Sequence, residues 1–148
     1  MGDLTANFSR SEFMCKCNKC FNSNIDVELV DELQECRDDL NQKYKNVKCE
    51  VKSGIRCFAH NEATQRKNVP GYVAGSSKSQ HMPDEDGVGH GADVQYTYET
   101  EDGEREIINP IEVHTWFDGR HSHSYGLGLY TNRNHIDNRR YRARWDKR

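Results

Sequence analysis

Ala92-Asp93-Val94-Gln95-Tyr96-Thr97-Tyr98 is the stretch on which the fold turns. Val94, Tyr96 and Tyr98 alternate with Asp93, Gln95 and Thr97, the period-two pattern of a strand with one apolar face. The strand is entered through Gly89-His90-Gly91. Small residues around Asp93 let another backbone or a ligand come close. Before it lie a glycine- and serine-rich loop, 70–79, and an acidic, glycine-bearing loop, 83–91. After it, 99–106 reads as a charged turn around Asp102-Gly103.

Further out, residues 26–44 form the clearest helix, with Ile25, Leu29, Leu33, Cys36 and Leu40 at helical spacing. Val47, Cys49 and Val51 alternate with lysines and a glutamate in a second strand, 47–52, and a helix is expected over 58–66. Ser9 and Glu12 make a capping box for a short helical turn over 8–13. Asn109-Pro110 opens a helix that ends near Gly119, and 125–130 and 134–137 read as short strands. Helices and strands in this order predict an α+β domain, a small, mainly antiparallel sheet with flanking helices. One domain over 1–148 is expected, with a cysteine-containing N-terminal segment, 1–24, and a basic end, 139–148, that reads as a solvated tail.

The chain has 148 residues, 34% apolar and 30% charged, with a net charge of −3. So polar a chain supports only a modest core, which a bound metal would help to stabilise. The charge gives no basic footprint for nucleic acid. No apolar run approaches a membrane span, so no stable membrane insertion is expected. Residues 1–5 lack the basic and apolar regions of a secretory signal, which predicts synthesis as a cytoplasmic product and a monomer.

Six cysteines and seven histidines need an account. Cys15, Cys17 and Cys20 lie close together and invite a structural zinc with a fourth ligand from Cys57 or Cys49. Reduced, partly buried thiols and disulfides are the alternatives. Among the histidines there is no H-E-x-x-H. Instead Ser79-Gln80-His81 ends the flexible loop, Asp93 enters the strand, and His135-Ile136-Asp137 sits on a later one. His135 and Asp137 share a face there. His121 and His123, alternate on an extended segment, are candidates for a metal or a substrate carboxylate. His60 and His114 read as structural.

These pieces resemble, in order, the zinc D-Ala-D-Ala carboxypeptidase and L-Ala-D-Glu endopeptidase family, which shares its core fold with the hedgehog signalling domain. The short bacteriophage members are the most similar. The resemblance runs from Phe8-Ser9-Arg10-Ser11-Glu12-Phe13 and Cys15-Lys16-Cys17, through Ser53-Gly54-Ile55-Arg56-Cys57 with His60-Asn61, to Ser79-x-His81 and Gly89-x-Gly91-Ala92-Asp93. It closes on Gly126-Leu127-Gly128-x-Tyr130, His135-Ile136-Asp137 and Arg142-Ala143-Arg144-Trp145. It implies a hedgehog-like fold with zinc held by His81, Asp93 and His135. It also implies a substrate side built from Arg56, Ser79 and His123, with Arg56 binding a substrate carboxylate. The implied reaction is amide hydrolysis in peptidoglycan stem peptides, at the cell wall after release or from a virion. The other class implied is a zinc-containing structural or binding module of a phage particle.

Two departures from the family pattern bear on mechanism. Pro83-Asp84-Glu85-Asp86-Gly87 behaves as an insertion between the first two ligands, which leaves His90 as a rival to His81. Many relatives carry a carboxylate base three residues before the last histidine, and here Asn132 stands in that place. Asp137 is then the nearest acid, either as catalytic base or as a group that orients His135.

Overall fold

The computed structural model describes residues 2–148. Arg10–Phe13 form a 3-10 turn with the Ser9/Glu12 capping box in place. Helices α1, α2 and α3 span Val27–Lys43, Phe58–Asn68 and Pro110–Arg120. Strands β1 to β6 span Lys48–Ser53, Gly91–Glu99, Arg105–Ile107, Gly126–Leu129, Asn134–Asp137 and Ala143–Asp146. The fold is α+β, with one six-stranded sheet ordered β1-β2-β5-β4-β6 and β3 on the outer end of β2. Only β4 and β6 pair in parallel.

Strand alternation divides the sheet into two faces with different tasks. Val94 and Tyr96 of β2, Leu127 of β4 and Ile136 of β5 are buried on one face, in the same core as Leu29, Leu33 and Leu40 of α1 and Val113 and Phe117 of α3. The Tyr96 hydroxyl donates to the Leu33 carbonyl at 2.8 Å, and the Asn134 amide to that of Pro110 at 2.9 Å, so both helices are fixed to this face. The opposite face carries Asp93, His135 and Asp137.

Two glycines of β4 clear that second face. A Cβ on Gly126 would lie 2.3 Å from Asp137 Oδ2, and one on Gly128 would lie 2.4 Å from the Trp145 indole nitrogen. Both contacts are closer than packed atoms allow, so an emptied stripe is what lets a carboxylate and an indole lie against the strand.

Two sequence expectations are corrected. The basic end is no solvated tail: β6 pairs with β4, and Arg144 Nε donates to Asp118 of α3 at 2.8 Å while Nη2 reaches the His121 carbonyl at 2.8 Å. The charged turn around Gly103 is shorter than expected, because Arg105–Ile107 pair with Thr97–Glu99 as β3. All three β3 residues are exposed, so this edge strand carries no apolar alternation to read.

Candidate metal centre

Asp93 and His135 are direct partners across the antiparallel β2–β5 pairing. The pairing alone sets their side chains next to one another on one face. His135 Nδ1 lies 2.9 Å from Asp93 Oδ1, and His81 Nε2 lies 3.3 Å from the same oxygen. One ligand atom from each residue falls within 4.8 Å of the others. Nitrogens and oxygens bound tetrahedrally at ~2.0–2.1 Å are separated by ~3.3 Å, so the three groups have the spacing a metal needs.

The free nitrogen of each histidine follows from what its other nitrogen faces. His81 Nδ1 is 2.7 Å from the Gly54 carbonyl. A carbonyl only accepts, so Nδ1 carries the proton and Nε2 is left as the ligand. His135 Nε2 is 2.7 Å from Asp137 Oδ2. Asp137 accepts the Nε2 proton, and Nδ1 faces Asp93, the side on which a metal would take the place of the Nδ1 proton. Burial alone would depress both imidazoles. It prevails at His81, whereas at His135 the Asp137 and Asp93 carboxylates outweigh it and raise the pKa. Burial would raise the Asp93 pKa, yet the two histidines hold that carboxyl well below its ordinary value.

Asp137 stands behind His135, not in front of it. Its side chain is 0% exposed, and Arg139 grips it through Nε at 2.7 Å and Nη2 at 2.8 Å. The Gly126 amide adds a bond at 3.1 Å. Against burial, Arg139 and His135 hold its pKa well below the carboxylate range. Both oxygens of this side chain are hydrogen-bonded within the protein, to His135, Arg139 and Gly126.

A cleft of about 210 Å³ opens over the three groups. Arg56 and Ser79 line it, as expected from the sequence, together with Tyr130, Trp145 and Lys147, which sequence reasoning left out. Trp145 sits 5.1 Å from the His135 ring and donates its indole N–H to the Tyr130 hydroxyl oxygen at 3.1 Å. The Arg56 main chain is fixed by the hydrogen bond its N–H donates to the His81 carbonyl at 2.8 Å. Its side-chain Nε is buried without a hydrogen-bond partner, and burial lowers its pKa despite nearby Asp93. Asp93 is the sole carboxylate in the cleft lining.

Other candidates lie elsewhere. His123 is exposed and does not line the cleft. His121 stacks on Tyr125 and bonds Glu32. Asn132 gives its carbonyl to Gln95 and is exposed.

His90 is no rival ligand: its ring bridges Asp26 at 2.9 Å and Asp84 at 2.7 Å, latching the acidic loop to the start of α1. Burial would lower the His90 pKa, but the two carboxylates raise it above the ordinary 6.5. A raised imidazole contributes stability in full below 6.5, and that contribution fades as pH climbs through the folded value. The Tm gap between the chain and His90→Gln should therefore be widest below pH 6.5 and narrow as the pH rises above it, read by thermal melts across pH. A gap that widens with pH would contradict the latch.

A second group that could hold a metal consists of Cys15, Cys17, Cys20 and Cys57. Cys49, the other fourth ligand weighed from sequence, is outside it and borders Tyr96 and Cys36. Among the described residues no helix is long and apolar enough to cross a membrane. No protein-family model, curated protein or solved structure compared with the chain matches it.

Proposed function

We propose that the chain is a zinc-dependent hydrolase of an amide bond in peptidoglycan stem peptides. It would act as a D-Ala-D-Ala carboxypeptidase or an L-Ala-D-Glu endopeptidase, in an endolysin-like setting. The observation that carries this reading is the convergence of His81 Nε2, Asp93 Oδ1 and His135 Nδ1 beside a half-buried arginine whose Nε has no hydrogen-bond partner. Two imidazoles and one carboxylate are a zinc donor set of the catalytic kind, with a position left for substrate. The resemblance to the peptidase family, resting on the same residues, supplies the substrate class.

When bound, zinc polarises a carbonyl and lowers the pKa of water. The chain's own groups do the rest. Gly54 and Asp137 fix the tautomers of the two histidines. Arg56 offers a planar fork to a substrate carboxylate, binding it bidentately. The Tyr130 oxygen already accepts the Trp145 N–H, so its own proton is free to serve an oxyanion in the cleft.

One observation favours a second reading, a zinc-containing binding module of a phage particle. The cleft holds no carboxylate besides Asp93 that could take a proton from water. Digestion of purified peptidoglycan, with mass spectrometry of the released fragments, separates the two. The hydrolase yields free D-Ala or new amino termini, and His81→Ala abolishes the release. A fully metallated chain that retains stem peptides on a column but releases nothing is the module.

A further inference from the structure

We infer that Cys15, Cys17, Cys20 and Cys57 hold a second metal ion of the zinc class, which braces the segment that aims Arg56 and His81. The four sulfurs lie within 4.8 Å of one another, and Cys17 and Cys20 are 3.4 Å apart. Four thiolates around zinc at ~2.3 Å stand ~3.8 Å apart, whereas a disulfide needs ~2.05 Å. The spacing matches the metal and not the bridge.

The backbone is arranged for thiolates. The Lys19 and Cys20 amides point at the Cys17 sulfur at 3.4 and 3.3 Å. Asn18, at φ 62, supplies the left-handed residue that turns the chain so that they can. The Cys57 amide points at Cys15 at 3.3 Å and the His60 amide at Cys57 at 3.5 Å. Amide donors aimed at sulfur stabilise the anionic form a metal requires. His60 Nδ1, 3.5 Å from the Cys15 sulfur, adds a side-chain partner.

What the metal would brace is the strip from Ser53 to Cys57. A Cβ on Gly54 would come within 2.5 Å of the Phe13 carbonyl, and the Ile55 amide donates to that same carbonyl at 2.9 Å. The cysteine-bearing N-terminal segment is therefore laid directly on this strip. The strip supplies the Gly54 carbonyl that sets the His81 tautomer and carries Arg56, next in sequence to Cys57. Cys20 is exposed, and nothing covalent ties it or the half-buried, core-packed Cys17 to Cys57. A metal cross-link between 15–20 and 57 would supply that tie at the edge of the cleft.

The test is metal counting on the intact, reduced chain, with two variants and a thiol titration. Two zinc ions per chain are expected. His81→Ala should keep one, and Cys17→Ser should keep the other. Cobalt loaded in place of zinc should show thiolate-to-metal charge-transfer absorption that survives in His81→Ala and vanishes in Cys17→Ser. Should Cys17→Ser fail to fold, titrating the unaltered chain with an organomercurial decides: one zinc of the two is released as the thiols react. The inference is overturned by one zinc per chain that is lost in His81→Ala with no charge-transfer band. A mass deficit of two hydrogens, marking a disulfide in the folded chain, overturns it equally. Neither result touches the histidine centre, which is scored by the other ion.

Discussion

Replacing Arg56 by methionine is expected to cut kcat/KM about 10²–10⁴-fold for a peptide with a carboxylate beside the cut, without lowering Tm. Hydrogen bonds to charged groups contribute ~1.5–3 kcal/mol each, and two in parallel at ~1.4 kcal/mol per decade give that loss. The stability half comes from the arginine's present state. Its Nε is buried without a partner, a burden of ~1–3 kcal/mol that methionine relieves while keeping an apolar stem. Kinetics on matched carboxylate and amide peptides, with melts of both proteins, check the pair of effects. Equal losses on both peptides would remove Arg56 from carboxylate recognition.

Asp137→Asn should have the largest effect on stability, up to about 3–5 kcal/mol, the cost of breaking a fully buried pair, because it removes the buried partner of the half-buried Arg139 guanidinium. An amide cannot accept the His135 N–H and both guanidinium nitrogens at once. Zinc affinity at the histidine centre should fall by ~10–100-fold, the usual cost of losing a group that orients a ligand. At saturating zinc most turnover should return. Adding Arg139→Gln should recover part of the stability, since the stranded cation is gone. A base would behave differently: turnover lost at full metallation, with stability untouched. Denaturant melts and zinc titrations distinguish the two.

Much of this arrangement was legible before any coordinates. The alternation 92–98 gave β2, and with it the face on which Asp93 stands. Period-two logic put His135 and Asp137 on one face of β5. Helical spacing and the Asn109-Pro110 start gave α1 and α3. What stayed hidden depends on partners distant in sequence. Arg144 is held by Asp118 and Trp145 lies on Gly128, so a basic stretch that looks solvated in isolation becomes a strand. The Asp137 contact with Gly126 is likewise set by the β4–β5 pairing, and Arg139, two residues on, folds back onto it only because the chain turns after β5. His81 and His90 were separable only by tertiary contacts, since Gly54 holds one and Asp26 with Asp84 holds the other. His123 shares an extended segment with His121, and neither lines the cleft.

The hidden parts share a physical cause. Local pattern reports which face of an element is apolar, and the candidate site lies on the polar face of this sheet. Its order is set by hydrogen bonds and cleared by two glycines, neither of which produces a hydrophobic period.

The most direct test of the account is anomalous diffraction at the zinc edge from crystals of the zinc-loaded chain. The account predicts a peak bonded at ~2.0–2.1 Å to His81 Nε2, Asp93 and His135 Nδ1, with His135 Nε2 still facing Asp137. A fully loaded crystal with no peak at these three residues, or with zinc on His135 Nε2, would contradict it.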